Sequence, residues 1–255
     1  MARVVASVWT WFVLAASFAV LTPLMAVTLL LTAPFDRRRL IVGRMFRWIG
    51  IITGTLCPYW RFTVAHAERR DPRRQYVFVA NHESFVDIFL LSHLPWEMKW
   101  MAKAELFRIP VMGWCLTMAG DIPVTRGDRK SGVVALHAAK HVIDRGGSVL
   151  IFPEGTRSTS GDLLPFKDGA FRLAIELGMP VLPLAISGSA TALRKHDWKT
   201  HPSHAVVEVL EPVETTGLEG RDARALADQV HARIRAARHA RLGGAPTPAL
   251  QSSAT

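Results

Sequence analysis

Gln75-Tyr76-Val77-Phe78-Val79-Ala80-Asn81-His82-Glu83-Ser84-Phe85-Val86-Asp87 decides the fold, together with the apolar run Ile88-Phe89-Leu90-Leu91 that follows it. Gln75 to Ala80 is an apolar, β-branched and aromatic stretch that reads as a strand. Ser84 and Asp87 have the Ser-x-x-Asp spacing of a capping box, which opens the run from Val86 to Leu91 as a helix. His82 then lies in the strand-to-helix turn, and Asp87 in the first helical turn. On one continuous helix, side chains five residues apart diverge by about 140°. The imidazole and the carboxylate meet only if the helix starts between them. Taken alone, a His-x-x-x-x-Asp spacing is more often a loop histidine beside a capping aspartate, so the pair gains meaning only from its surroundings.

Those surroundings are a strand and helix alternation. Trp60 to Ala65 reads as a strand, followed by the polar turn Glu68 to Arg74. Met98 to Ala102 is a short strand closed by Lys103, and Glu105 to Met118, with Pro110 and Gly113, is a broken helix. Ile122 to Thr125 resumes as strand. Ser131 is placed to cap a helix running to Asp144, Ser148 to Phe152 is a buried strand, Gly169 to Leu177 a helix and Val181 to Ile186 a strand. Ala205 to Leu210 is a last strand and Arg221 to Arg241 an amphipathic, basic helix. Strand, helix, strand in that order implies parallel crossovers. The expected class is therefore α/β, a mixed and partly parallel sheet flanked by helices. Ligands of such sheets gather at the carboxyl ends of strands. Both His82 and Phe152-Pro153-Glu154-Gly155-Thr156-Arg157-Ser158 follow such ends.

Four blocks occur in one order: Asn81-His82-Glu83-Ser84-Phe85-Val86-Asp87; Lys103-Ala104-Glu105-Leu106-Phe107 with Gly120 to Arg126; Phe152 to Ser158; and Val181-Leu182-Pro183-Leu184. Together they resemble the glycerolipid acyltransferase family, and within it most of all the bacterial 1-acylglycerol-3-phosphate acyltransferases. The likeness covers roughly residues 75–187 and departs most at Pro123-Val124-Thr125. It implies transfer of an acyl group from a thioester, on coenzyme A or acyl carrier protein, to the sn-2 hydroxyl of a lysophosphatidate, giving phosphatidic acid. It also implies direct transfer, with no acyl-serine and no cofactor beyond the acyl co-substrate. His82 is the expected general base and Asp87 the acid that orients it. Backbone N–H groups at the start of the following helix are candidate donors to the oxyanion. Arg157 suits a phosphate because its planar fork makes bidentate bonds. Gly155 lets backbone approach. The resemblance puts Glu154 and Thr156 in the same polar site and brings Lys103 and Arg126 to the phosphate. Lys167 is a further candidate. The residues themselves also admit another acceptor, such as a lyso-ornithine lipid or glycerol 3-phosphate, as well as a thioesterase or a lipid-binding protein without turnover.

The chain has 255 residues and a formal net charge of +10. From Val4 to Phe35 no residue is charged, a run beyond the roughly 20 apolar residues that cross a bilayer core. It is too long for the h-region of a signal peptide. Pro23 kinks it or breaks it in two. Arg37, Arg38, Arg39, Arg44 and Arg47 follow, so a single span places the rest of the chain on the cytoplasmic side of the cell inner membrane. The basic balance then reads as attraction to anionic lipids rather than to nucleic acid. Leu40 to Trp60 reads as an interfacial helix, with Arg44 and Arg47 snorkelling to water and Phe46, Trp48, Tyr59 and Trp60 as anchors. Cys57 and Cys115 match no zinc or redox spacing, and no metal site is expected. The expected organisation is a membrane-anchoring helical segment over residues 1–60, a catalytic domain over 61–242 and a disordered tail over 243–255.

Overall fold

In the computed structural model, which describes residues 1–125, 127–158, 162–194 and 197–243, the core is a seven-stranded sheet in the order β1-β7-β6-β2-β5-β3-β4. The strands are β1 (Trp60–Ala65), β2 (Val77–Ala80), β3 (Lys99–Lys103), β4 (Ile122–Val124), β5 (Val149–Ile151), β6 (Val181–Ser187) and β7 (Ser203–Val209). Every neighbouring pair is parallel except β6 and β7. The mixed α/β sheet expected from the sequence is thus present, with β2 central between β5 and β6.

Alternation along β2 explains the layers. Val77 and Val79 face helices α5 (Arg129–Asp144), α6 (Gly169–Glu176) and α7 (Ala223–Arg241), whose Ala139, Phe171 and Val230 are buried against them. Phe78 and Ala80 face the other way, toward α3 (Asp87–Ser92) and its Leu90 and Leu91. A strand covered on both faces has no polar side, which is why β2 reads as a continuous apolar run. The expected break falls at Pro110: a 3₁₀ turn, Ala104–Arg108, precedes it and α4 (Met112–Ala119) follows, with Gly113 inside α4 rather than at the break. One cap differs from expectation. Asp128, not Ser131, caps α5, accepting from the Lys130 N–H at 2.8 Å. The Ser131 hydroxyl instead accepts from the Thr125 N–H at 2.8 Å.

The N-terminal segment forms an unbroken helix, α1 (Ala2–Thr32), with Pro23 inside it, followed by α2 (Leu40–Leu56). α1 is long and apolar enough to cross a membrane. It lies along the domain. Ala6, Thr10, Val13, Ser17, Leu21 and Met25 are buried at helical spacing, and Val8, Phe12, Val20, Val27 and Leu31 are exposed. The contacts run end to end: Ser7 meets Thr200, Thr10 donates to Cys57 and Thr22 meets Cys115. Both cysteines are buried and reduced.

α2 departs from the interfacial reading on one face. Arg47 is 3% exposed and does not snorkel to water. It is ion-paired with Asp121 at 2.6 Å and Glu97 at 3.5 Å, with Trp100 4.0 Å from its guanidinium carbon. Arg44 donates to the carbonyl of Leu94 at 2.6 Å. A buried guanidinium is tolerable only when carboxylates face it, and both carboxylates come from beyond residue 60, a separation that no sequence spacing reports. Trp60, expected as a membrane anchor, is also buried, stacked on Phe62 and Phe89. Ile41, Trp48 and Leu56 keep an exposed apolar face on α2. Of the tail expected over 243–255, only Gly243 lies within the described residues.

Candidate active site

α3 begins at Asp87, between the two members of the motif as their meeting requires. His82 Nδ1 lies 2.7 Å from Asp87 Oδ2. That same oxygen accepts the N–H groups of Glu83 at 2.8 Å and Ser84 at 2.9 Å. Its partner, Oδ1, accepts from the Ser189 hydroxyl. The carboxylate is fully buried and His82 is 7% exposed. An acceptor so saturated fixes the imidazole with its proton on Nδ1 and its lone pair on Nε2. The capping box is half formed. Asp87 reaches back to the Ser84 N–H, while the Ser84 hydroxyl accepts from Val86, at 3.3 Å, rather than from Asp87. Ser84 is 2% exposed, a poor position for a nucleophile.

The neighbouring strand ends clamp this turn. Asn81 exchanges two hydrogen bonds with the backbone of Ile186 on β6, at 2.7 and 3.0 Å. On the β5 side, the His82 N–H donates to Glu154 Oε1 at 2.7 Å, and the His82 carbonyl accepts from the Ser158 N–H at 3.0 Å. The Phe152 ring stacks on the imidazole at 4.4 Å between centroids. The loop carrying Thr156 and Arg157 is therefore tied to the histidine at two points.

Glu154, expected among substrate contacts, is 5% exposed, and its second oxygen accepts from the Leu164 N–H at 2.9 Å. It braces two loops. Burial pushes its carboxyl up to about 7 despite the two N–H donors. Glu83 is likewise pushed up to about 7 by burial, with Arg238 of α7, its ion-pair partner, pulling the other way.

Thr156 and Arg157 are exposed, and Arg157 has no ion-pair partner among the described residues. Gly155 has φ +70°, and a Cβ there would sit 2.8 Å from Lys167 Nζ. A side chain at Gly155 would evict that amine. Lys103, Gly155 and Lys167 line one cavity of about 190 Å³ beside Phe152. Arg126 lies outside the described residues. A second, apolar cavity of about 90 Å³ starts one turn beyond His82, at Phe85, Ile88 and Phe89, and reaches Leu14 and Phe18 of α1 and Phe46 of α2. No group of three His, Cys, Asp or Glu able to hold a metal ion occurs among the described residues.

Sequence reasoning missed Ser189, the Glu83–Arg238 pair and the bracing use of Glu154. Ser189 stands two residues past the end of β6, where the rule of carboxyl strand ends would have found it. Nothing in the sequence ties Arg238 to Glu83, 155 positions earlier.

The histidine–aspartate dyad at the carboxyl ends of parallel strands thus lies in an α/β domain that also holds an apolar cavity starting at Phe85 and a cationic one beside Phe152. The profile of the Acyltransferase family matches residues 61–187. A 1-acyl-sn-glycerol-3-phosphate acyltransferase from Cocos nucifera is 30% identical over 82% of this chain and 67% of its own length. Another, from Chlamydomonas reinhardtii, is 34% identical over 69% of this chain and 54% of its own. The crystal structure of the 1-acyl-sn-glycerophosphate acyltransferase from Thermotoga maritima shares the fold, with a TM-score of 0.79 and 24% identity over 96% of this chain and 98% of that one. This chain belongs to the acyltransferase family of these proteins. It spans about half the length of the Chlamydomonas protein and about a third of some other curated relatives.

Proposed function

We propose that the protein transfers an acyl group from an acyl thioester to the sn-2 hydroxyl of 1-acylglycerol 3-phosphate, giving phosphatidic acid for phospholipid synthesis. One observation carries the reading: the turn that holds the Asp87-bound imidazole runs into an apolar cavity at Phe85, Ile88 and Phe89, and its backbone is tied through Glu154 and Ser158 to the loop of exposed Thr156 and Arg157. An amphiphile needs both. The relatives named as 1-acyl-sn-glycerol-3-phosphate acyltransferases support the choice of acceptor.

In this mechanism His82 Nε2 takes the hydroxyl proton as the oxygen attacks the thioester carbonyl, and Asp87 stabilises the imidazolium. A positioned histidine contributes about 10² to 10⁴-fold. The tetrahedral intermediate then expels the thiolate, which leaves as thiol with the proton returned by His82. The N–H groups of His82, Glu83, Ser84 and Val86 already have acceptors. The Phe85 N–H is left as the donor this turn can offer the oxyanion. Arg157, Thr156, Lys103, Lys167 and Arg126 supply the cationic and polar contacts to the acceptor phosphate. Acyl chains enter the cavity between α1, α2 and α3. The donor is acyl-coenzyme A or acyl carrier protein.

The exposed stripe of α1 meets lipid along its length, so the helix lies in the bilayer surface with the domain docked beneath it. With α1 in the surface rather than across it, the side is set by the donor: acyl-coenzyme A or acyl carrier protein puts the catalytic domain, 61–242, on the cytoplasmic face of the inner membrane. Supplying the purified protein with each donor against lysophosphatidate, lyso-ornithine lipid and glycerol 3-phosphate tests the whole reading. Phosphatidate should form, and His82→Ala should form none. Acylation of another acceptor in preference, or fatty acid release without any acceptor, would replace it.

A further inference from the structure

The sheet has a second charged cavity, at the end away from His82. It measures about 430 Å³ and is lined by Arg37, Arg38, Arg39, Lys99, His141 and Arg145 among others. Lys99 and Lys103 are the first and last residues of β3 and line the two opposite cavities. Four strand steps of about 3.3 Å separate them by roughly 13 Å. In the proposed acceptor, phosphate and reacting hydroxyl are only a few bonds apart. A phosphate at the arginine end therefore cannot belong to the reacting acceptor.

The cations here lack acids. Lys99 is paired with Glu97, but Arg37, Arg38, Arg39 and Arg145 have no carboxylate partner among the described residues. The acids nearby are occupied: Asp121 holds Arg47, and Asp36 accepts the N–H groups of Leu40 and Ile41 at the start of α2. Two of the guanidinium groups are fixed in place. Arg38 donates to the Gly146 carbonyl at 2.9 Å and Arg39 to that of Thr117 at 2.7 Å. Gly146 has φ +86°, and a Cβ there would stand 2.9 Å from Arg38 Nη1. The bare backbone is what seats the arginine. Four converging, unneutralised guanidinium groups favour an anion that can take several forked hydrogen bonds.

The second observation concerns what adjoins the charge. A neighbouring cavity of about 620 Å³ shares the same four arginines and adds Leu29, Ala33 and Phe35 at the end of α1. Leu30, Leu31 and Phe35 are 77%, 70% and 72% exposed. An anionic group with apolar matter attached fits both parts. We propose that this arginine cavity binds the headgroup phosphate of an anionic membrane lipid that is not the substrate, and so fixes the tilt of the domain on the bilayer. The inference rests on the reading that α1 meets lipid, and not on the acyl transfer.

Arg37→Gln with Arg145→Gln removes the two cations that carry no backbone clamp. Arg233→Gln with Arg235→Gln, on the exposed face of α7, removes equal charge elsewhere. Sedimentation with vesicles of phosphatidylcholine alone, or of equal phosphatidylcholine and phosphatidylglycerol, should show wild type preferring the anionic vesicles. The first double variant should bind those vesicles roughly 30-fold more weakly. The α7 double should stay within about threefold of wild type, as expected for distant, screened charges. Equal losses in the two doubles, or no lipid preference in wild type, would overturn the site. Wild type that binds neither vesicle would instead overturn the membrane reading of α1. Inorganic phosphate should displace the protein no better than chloride at matched ionic strength; better displacement would reassign the cavity to a free anion. Turnover of a short-chain, micellar acceptor should be unchanged in the first double variant, and a loss there would refute separation from the catalytic site.

Discussion

The two halves of the candidate active site are built differently. Around His82 almost every polar atom is buried and engaged: Asp87 takes donors at both oxygens, as does Glu154. Around Arg157 the side chains are exposed, and the guanidinium has no ion-pair partner among the described residues. Proton transfer demands geometry fixed before the substrate arrives, because misplacement by an ångström is costly. Charge recognition can wait for the phosphate to organise long cations around itself. The difference predicts that damage to the first half appears in kcat and damage to the second in KM.

The largest effect belongs to the base. His82→Ala should lower kcat by at least about 10² to 10⁴-fold while lysophosphatidate binding, measured by calorimetry, is nearly retained. Full turnover in this variant would remove the dyad from the mechanism. Asp87→Asn should approach the same loss, since a carboxamide cannot accept from all the donors now met by the carboxylate, and it presents an N–H that can turn the imidazole to the wrong tautomer. Recovery of wild-type kcat in Asp87→Asn would show that the aspartate merely caps α3. On the open half, Arg157→Ala should raise the lysophosphatidate KM by about 10 to 100-fold, the worth of a charged hydrogen bond, with kcat little changed. An unchanged KM would leave the phosphate to Lys103 and Lys167.

Legibility follows the same division. The dyad could be read because its two members lie in one strand-turn-helix unit, where local spacing fixes geometry. The sheet could be read because strands buried on both faces are continuous apolar runs, as in Val181 to Ile186. What escaped were contacts made across the fold. Arg47 looked like a snorkelling interfacial cation because Asp121, 74 positions on, is invisible to helical periodicity. Glu154 looked like a substrate contact because a motif names a residue without saying which way its carboxylate turns. Ser189 reaches Asp87 from the end of β6 and Arg238 reaches Glu83 from α7, and pairing at that range is set by packing alone.

The smallest predicted effect tests how closed the buried half is. Burial holds Glu83 and Glu154 near 7 in the fold, against about 4.3 for a solvated glutamate. Between those values the folded protein keeps protons that the unfolded chain has released. Stability must therefore fall as pH rises through this window, by up to about 1.4 kcal/mol per pH unit for each proton retained. Above it the dependence ends, because both states are ionised. Glu154→Gln keeps one acceptor and removes one titration, so its unfolding free energy in urea, followed from pH 5 to 8, should slope less steeply than wild type. An identical slope would mean that Glu154 is already ionised at pH 5. The bracing carboxylate would then be reached by water, and the contrast between a sealed base and an open anion site would weaken.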